Sequence, residues 1–500
     1  MSVDIETLSS SRLITGVIFL IWYIIILIVS YRGFFEIRSK FTRPSEFKVS
    51  DDTLEAVSII RPIKGVDPEL SSCLESSFQQ NYPREKLQIL FCVDNPGDES
   101  IPIIQKLIER YPDVNATILV SQGYNFDTRR SIEHFGPNPK VNNLSKGFLN
   151  ADHDILWIMD SNVWASPNIL RNSIKALNED TNNGIPNTSN RKIKLVHHVP
   201  LALSVNPSTD TDSDLEYTLS PVNSTGQYKK RFLKKLGAKL DEMFMLTSHL
   251  KFYVSLNNLA VAPCVNGKSN IYRKSDLDLA VAKIPSLNSA FFSSNSVLSD
   301  AKYYTSLGPG NSLKLFSRYI GEDNMIAICL WENLFSRTGL TGDFVIQPLS
   351  GADNTVNDYI TRRVRWLRVR KYMVLMATLI EPSTESIVCG LFGTYAISTL
   401  LWHTWFNWKF FLFHISIWVL TDYTQYYTFI KNISEADYQL NWLQRSKLPP
   451  LTRPFRKWLY VWVMREVLAL PIWIMAMCGH EIDWRGRPFK IKKDLTAEEL

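Results

Sequence analysis

The chain has 500 residues, of which 45% are hydrophobic and 21% charged, so it is long enough for one large globular domain of roughly 250–300 residues together with membrane segments. The formal net charge of +6 is modest for this length; it argues against a dedicated nucleic-acid-binding protein and is compatible with attraction to an anionic membrane surface. The six cysteines form no CxxC pair, which indicates neither a zinc site nor a disulfide framework and is typical of a reducing compartment.

The first predicted element is a membrane-spanning helix over residues 13–31. This stretch contains no charged residue, and a helix of that length, at about 1.5 Å per residue, nearly spans the hydrocarbon core. Asp4 and Glu6 precede it, unlike the basic start of a cleaved signal peptide, so we expect a retained anchor. Basic residues follow it, and positive charge marks the cytosolic side, which places residues 1–12 in the lumen and the chain after them in the cytosol.

Residues 32–384 are predicted to form a cytosolic α/β domain. Two stretches, 68–80 and 101–111, have helical periodicity and lie between short apolar runs, and this alternation predicts a mixed, mostly parallel, doubly wound sheet with helices on both faces. Ligands of such sheets bind beyond the carboxyl ends of the strands. The four apolar runs predicted as buried strands are Val57–Ile60, Leu87–Val93, Ala116–Val120 and Ile155–Met159.

Two further stretches of this domain, 207–227 and 286–312, are rich in small polar residues. Their composition predicts mobile surface insertions.

Carboxylates follow two of the predicted strands. Asp94 and Asp98 come after the second strand, where they either accept hydrogen bonds from a base or ribose or simply belong to a solvated Pro-Gly turn. Asp160 ends the fourth strand abruptly. An oxygen at that place suits a divalent cation that holds a diphosphate, and it equally suits the cap of a turn or helix.

Two later clusters also have a chemical and a structural interpretation. Asp323, after Glu322, precedes a helical stretch and is either a general base or a helix cap. Arg362 and Arg365 are three residues apart, so they share a helix face and can bind a diphosphate, while Trp366 offers a ring to a sugar or lipid. The same stretch also fits an interfacial basic helix, and both descriptions can hold together.

The C-terminal part predicts further membrane segments. Arg465 and Glu466 lie in the middle of its last apolar block, and such charges are costly in lipid unless they pair or line a cavity. That block is therefore predicted either to span or to be re-entrant. The segments in order are a transmembrane hairpin (386–430), a cytosolic basic segment (431–457), the spanning or re-entrant helix (458–479) and a tail (480–500).

The order of these clusters resembles the successive motifs of inverting glycosyltransferases with the GT-A fold, a family that includes cellulose, chitin and hyaluronan synthases. The similarity is closer to the ceramide glucosyltransferases, and it covers nearly the whole chain, including its membrane pattern. It implies a GT-A (Rossmann-like) fold and transfer of glucose from UDP-glucose to the primary hydroxyl of ceramide, with inversion, at the Golgi or another endomembrane. The segments that carry it are Arg61–Pro68, Pro139–Leu144, Thr247–His249, Cys264–Gly267 and Thr496–Glu499.

The same resemblance implies roles for individual residues. One departure from the family pattern is that the metal motif reads Asp160-Ser161-Asn162 instead of Asp-x-Asp, so that Glu322 or the nucleotide phosphates would complete the ligands of Mg2+ or Mn2+. The implied roles are nucleotide-sugar binding for Asp94, Asp98, Lys140, Asn143 and Asp160, metal binding for Asp160 with Glu322, general base for Asp323, donor closure for Arg362, Arg365 and Trp366, and the acceptor region for His249 and Cys264.

Other functions stay open at this point. A processive polysaccharide synthase needs a channel of many helices, whereas this chain offers three or four apolar blocks. A polyisoprenyl-phosphate sugar transferase needs another basic site beside the membrane, which the residues after Trp366 could supply. A non-catalytic scaffold or lipid carrier that kept the fold would lack metal-dependent UDP binding. The expected partners are UDP-glucose, ceramide and the lipid bilayer, and no nucleic acid.

Overall fold

The computed structural model describes residues 10–42, 51–125, 131–182, 184–205, 236–287, 289–351, 354–435, 440, 442, 454–484, 487–492 and 494–500. The insertion predicted at 207–227 lies outside these residues, as do residues 1–9 of the predicted lumenal tail and most of the segment 431–457.

Strands and helices alternate through the described chain. The strands are β1 (Val57–Ile63), β2 (Leu87–Val93), β3 (Asn115–Val120), β4 (Ile155–Met159), β5 (Trp164–Ala165), β6 (Thr181–Asn182), β7 (Ile185–Pro186), β8 (Ile193–His197), β9 (Val199–Val205), β10 (Ser269–Arg273), β11 (Arg337–Gly339), β12 (Phe344–Ser350), β13 (Glu481–Trp484), β14 (Arg487–Ile491) and β15 (Ala497–Glu499). The helices are α1 (Ser10–Lys40), α2 (Leu70–Phe78), α3 (Ile101–Arg110), α4 (Pro139–Leu149), α5 (Ile169–Asn178), α6 (Gly237–Leu246), α7 (Ser248–Leu259), α8 (Lys274–Ala282), α9 (Asn295–Ser306), α10 (Glu322–Asn333), α11 (Val356–Met373), α12 (Leu375–Ile380), α13 (Ser386–Trp402), α14 (Trp408–Glu435) and α15 (Phe455–Cys478).

The centre of the α/β domain is a seven-stranded sheet in the order β11-β8-β10-β4-β1-β2-β3. Strand β1 pairs in parallel with β2 and β4, and β2 pairs in parallel with β3. Strand β10 runs antiparallel between β4 and β8. The sheet is therefore mixed and mostly parallel, as the sequence predicted, and all four predicted strands are present.

Helices cover both faces of this sheet. Neighbouring residues of β1 point to opposite faces, so Ile59 enters one apolar core and Ile60 enters the other. The first core includes side chains of α2, α3 and α5, and the second includes side chains of α4, α8, α9 and α10. Every residue of β2 is buried, because a strand covered on both faces has no solvent side. This burial explains why six of its seven residues are apolar, while the buried Gln88 accepts a hydrogen bond from Ser58.

Residues 286–312 differ from the mobile surface insertion that their composition predicted. They contain α9 and enter a 3-10 helix over Asn311–Arg318. Phe292, Val297 and Ala301 are buried in the second core. The four-residue spacing of Val297 and Ala301 places both on one face of α9, and that face packs against the domain.

Two helices of the described chain, α1 and α15, are long and apolar enough to cross a membrane, and a third span arises if the bent pair Leu375–Thr384 and Ser386–Trp402 counts as one. The predicted hairpin 386–430 corresponds to α13 and α14, and its passage through the membrane stays a prediction. Helix α1 packs closely on α7, since a Cβ at Gly33 would lie 1.9 Å from the carbonyl oxygen of Lys251. Only glycine fits this approach.

Three buried charged residues of the C-terminal helices, Asp422, Arg465 and Glu466, form ion pairs. Arg465 donates to Glu385 at 2.8 Å and also pairs with its neighbour Glu466. Lys251 on α7 donates to Asp422 on α14 at 2.5 Å, and both side chains are fully buried. These pairs meet the condition under which charges are tolerated in an apolar setting. The pair of Lys251 and Asp422 also connects the α/β domain to the apolar helices.

The tail 480–500 contains a three-stranded antiparallel sheet in the order β13-β14-β15. Its buried residues Ile482, Phe489 and Ile491 pack against Val369 of α11 and Ile320. The tail therefore supports the arginine-rich helix and the segment that leads into α10.

Candidate active site

The loops after β1 and β2 are joined through Asp98. Its Oδ2 accepts a hydrogen bond from the backbone N–H of Gly65 at 2.8 Å, and its Oδ1 accepts from the backbone and hydroxyl of Ser100 at 2.9 and 2.6 Å. Gly65 has a φ of +67°, a conformation that favours glycine. Asp94 accepts from the hydroxyls of Ser121 and Ser131 at 3.0 and 3.1 Å. Both carboxylates lie at the predicted edge of the sheet, and their contact with a nucleotide stays a prediction.

Asn143 fixes α4 against the sheet. Its amide donates to the carbonyl oxygens of Ile63 and Cys92, the ends of β1 and β2, at 3.2 and 2.7 Å. Its Oδ1 accepts from Lys146 at 2.6 Å. The amide is thus engaged within the protein, which gives Asn143 a positioning task beside the nucleotide-sugar binding that the sequence predicted.

Asp160, at the end of β4, lies in a cluster of charges. Lys140 on α4 is 2.8 Å from its Oδ1, and Lys268 is 3.0 Å from its Oδ2. Lys140 also lies 3.0 Å from Glu322, which in turn accepts from Asn138, the N-cap of α4. The two lysines hold the pKa of Asp160 well below its usual range, although burial alone would raise it. The structure therefore brings together Lys140, Asp160 and Glu322, which the sequence singled out separately.

Lys268 is the member of this cluster that the sequence analysis missed. It follows the segment Cys264–Gly267 directly and lies just before β10. Because β10 is antiparallel to β4, with Ser269 opposite Met159, the residue before β10 meets the residue after β4. The backbone N–H of Asp160 donates to the carbonyl oxygen of Lys268 at 3.1 Å. The position of Lys268 directly after Cys264–Gly267 is the feature of the sequence that could have indicated it.

Asp323, in the first turn of α10, approaches the same cluster. A Cβ at Gly267 would lie 3.1 Å from Asp323 Oδ2 and 3.2 Å from Lys140 Nζ, so both groups face this glycine. Burial, followed by the negative charge of Glu322, raises the pKa of Asp323 to about 7, while Lys140 acts in the opposite direction. A carboxylate poised near neutral pH can accept a proton from a hydroxyl. Its place in the first turn also suits the helix dipole.

The predicted arginine motif lies on α11, whose start is fixed by a capping box between Thr355 and Asp358. Arg362 is engaged in an ion pair with Asp241 of α6. Arg365 and Trp366 are half-buried, and the ring of Trp366 is 6.5 Å from that of Phe244.

Arg363, which follows Arg362, contacts other residues than Asp241. Its guanidinium stacks 3.5 Å from the ring centre of Phe244 and pairs with Glu381 at 3.5 Å. Helix α11 is thereby held on two sides.

The charge of Arg370 on α11 acts on both His249 and Cys264. The His249 ring is 5.3 Å from the rings of both Phe244 and Tyr253, and its buried Nε2 has no hydrogen-bond partner within the described residues. Burial, with Arg363 nearby, lowers the pKa of His249 to about 3, so the imidazole is neutral at ordinary pH. Burial raises the pKa of the Cys264 thiol, on which the charge of Asp323 also acts. Their predicted acceptor role remains untested.

The side chains around Asp160 do not fit a resident divalent cation. Mg2+ requires near-octahedral oxygen ligands, and both carboxylate oxygens of Asp160 are bonded to ammonium groups. Asn162 stands where the second carboxylate would be, and its Oδ1 accepts from Lys268 at 3.2 Å. In the part of the chain that the structure describes, no three His, Cys, Asp or Glu side chains are grouped to hold a metal.

Comparisons with known proteins place the chain in a family. Residues 20–189 and 310–497 match the profile of Glycosyl transferase family 21. The chain is 59% identical to the ceramide glucosyltransferase of Candida albicans, with 99% of both chains covered. It is 47% identical to that of Komagataella phaffii, over 97% of this chain and 92% of the other, and 34% identical to that of Pyricularia oryzae, over 96% and 94%.

A more distant likeness exists among solved structures. The mannosyltransferase PcManGT from Pyrobaculum calidifontis, in complex with GDP-Man and Mn2+, is 14% identical, with 93% of this chain and 98% of that chain covered and a TM-score of 0.38. A likeness of this size carries no conclusion about substrate or metal.

Proposed function

The chain belongs to glycosyl transferase family 21, with the ceramide glucosyltransferases that it matches over nearly its full length, and from this premise we propose that it transfers glucose from UDP-glucose to the primary hydroxyl of ceramide with inversion. Membership makes it a glycosyltransferase of the ceramide-glucosylating type. The donor nucleotide, the attacked hydroxyl and the stereochemical course are the proposal.

The observation that carries the proposal is the approach of Asp323 to the Lys140–Asp160 pair at the ends of the parallel strands. A base beside an anion-binding cluster suits direct displacement. The ceramide oxygen forms a bond to the anomeric carbon while the bond from that carbon to the UDP oxygen breaks, and the electron pair leaves with UDP. Asp323 takes the hydroxyl proton. Attack opposite the leaving group inverts the anomeric centre.

Arg362 and Arg365 are proposed to stabilise the departing diphosphate, with Trp366 beside the acceptor entrance. Arg362 is paired with Asp241, whose pKa is raised by burial. The charges of Arg362 and of Arg363 both act on this buried carboxylate. Donor binding would therefore compete with Asp241 for Arg362.

A lipid acceptor is supported by the attachment of α11 to an apolar helix. Arg368 donates to the carbonyl oxygen of Met475, and Lys371 donates to that of Met477, both at 3.1 Å. These carbonyl groups lie in the last turn of α15, a long apolar helix. Because the tail after α15 packs on α11, both ends of α15 lie on the cytosolic side in the proposed orientation, which agrees with the re-entrant alternative. We propose a Golgi or other endomembrane location with the catalytic domain in the cytosol. The basic end of α1, with Arg38 and Lys40, supports that orientation.

A donor and acceptor panel tests the proposal. The purified protein in lipid nanodiscs is incubated with labelled UDP-glucose or UDP-galactose, and with ceramide or a polyisoprenyl phosphate. We expect glucose on ceramide only. Label on the polyisoprenyl phosphate, or in a polymer, would favour the other enzymes of the superfamily, and no transfer in any combination would favour a scaffold.

A further inference from the structure

Two ammonium groups enclose Asp160 at the end of β4. Each carboxylate oxygen has its own lysine, Lys140 at 2.8 Å and Lys268 at 3.0 Å. The side chains of Asp160, Lys140 and Lys268 are 23%, 16% and 17% exposed, so solvent reaches the cluster. Neither lysine is confined to a closed interior.

The spare hydrogen-bonding capacity of this cluster lies on Lys268. An ammonium group has three N–H donors. Lys140 contacts three oxygens, those of Asp160, Glu322 and the Gly267 carbonyl. Lys268 donates to Asp160 and to Asn162, its two side-chain partners in the described structure, which leaves one N–H for an anionic ligand.

The ammonium groups bound to both oxygens of Asp160, and not the net charge of the cluster, favour an anionic ligand over a cation here. Asp160 with its two lysines carries one net positive charge, and including Glu322 brings the cluster to neutrality. A divalent cation would have to displace two ammonium groups to reach Asp160, and both would then repel it. A diphosphate carries several negative charges and gains from charge-assisted hydrogen bonds to ammonium groups.

Building on the proposed function, we infer that Lys268, together with Lys140, binds the diphosphate of the donor in the place where related folds use a divalent cation, and that Asp160 positions the two lysines. Lys268 contacts the phosphate oxygens through its spare N–H. The leaving charge on UDP is then neutralised by side chains of the chain itself, and transfer needs no added metal.

The first test is UDP binding to the wild-type, full-length protein after treatment with EDTA. Isothermal titration calorimetry in nanodiscs gives the Kd with EDTA, with Mg2+ and with Mn2+. We expect the same Kd under all three conditions, and unchanged ceramide glucosylation in EDTA. If UDP binding and ceramide glucosylation are both lost in EDTA and both return in Mn2+, the inference is overturned but the proposed reaction still holds. Failure to bind UDP or to glucosylate ceramide under any condition overturns the proposed function as well.

The second test separates the phosphate contact from folding. Lys268→Met keeps the length of the side chain and removes its charge, and should raise the Kd of UDP by about tenfold to a hundredfold. Binding of uridine, which has no phosphate, should be unchanged and also shows that the variant is folded. Lys283→Met, at an exposed lysine at the end of α8, is the matched control and should bind UDP normally. An unchanged Kd of UDP in Lys268→Met contradicts the inference.

Discussion

The pH dependence of transfer should report the ionisation of Asp323. Only the carboxylate can accept the proton of the attacking hydroxyl, so activity is expected to rise with pH through the pKa of about 7. With that pKa, roughly one tenth of the side chain is ionised at pH 6 and roughly nine tenths at pH 8, so kcat/KM should increase about tenfold over this interval. An unperturbed aspartate would already be ionised and would give a flat profile.

Two variants sharpen this prediction. Asp323→Asn should lower kcat by about a hundredfold or more and remove the rising limb, because general-base catalysis is lost. Glu322→Gln removes the neighbouring negative charge that raises the pKa of Asp323. The rise of kcat/KM with pH should therefore occur at lower pH in this variant. Initial rates with labelled UDP-glucose between pH 5.5 and 9 measure both. A flat wild-type profile, or a rising limb that persists in Asp323→Asn, refutes the assignment of the base.

Three further predictions concern packing. Lys251→Met leaves Asp422 buried without its cation and should destabilise the protein by about 3–5 kcal/mol, and the double variant with Asp422→Leu should recover part of the lost melting temperature. Gly33→Ala places a methyl group 1.9 Å from a carbonyl oxygen of α7, so it should cost about 1–3 kcal/mol by thermal unfolding in detergent, whereas an unchanged melting temperature would contradict the close packing of α1. Gly267→Ala crowds Asp323 and should reduce kcat by about tenfold or more with little change in melting temperature, and normal turnover would argue against that approach.

The parallel strands were predictable because their burial on both faces leaves a direct trace in the sequence. The run at 155–159 is fully apolar for that reason, and in the run at 87–93 Gln88 is the one polar residue. The helix at 295–306 was not predictable from composition, since its polar residues outnumber the two buried side chains, Val297 and Ala301, that fix it to the core. Composition describes the exposed face of such a helix better than its buried face.

The charged cluster shows the corresponding limit for the site. Asp160 and Lys140 stood out by their motifs, but their contact with Lys268 depends on the antiparallel register of β10 with β4. No local pattern encodes the pairing of strands more than a hundred residues apart. The same holds for Asp241, whose ion pair with Arg362 follows from the packing of α6 on α11. Motifs indicate which residues carry chemistry, whereas the fold decides which of them meet.

The central claim is inverting transfer of glucose to ceramide, and the glycolipid product tests it most directly. Proton NMR of the lipid formed from UDP-glucose and ceramide reports both the attached sugar and its anomeric configuration. The predicted product is glucosylceramide with a β linkage at the primary hydroxyl, because UDP-glucose carries an α linkage and one displacement inverts it. An α-linked product, or no glucosylceramide from the folded wild-type protein, would contradict the account.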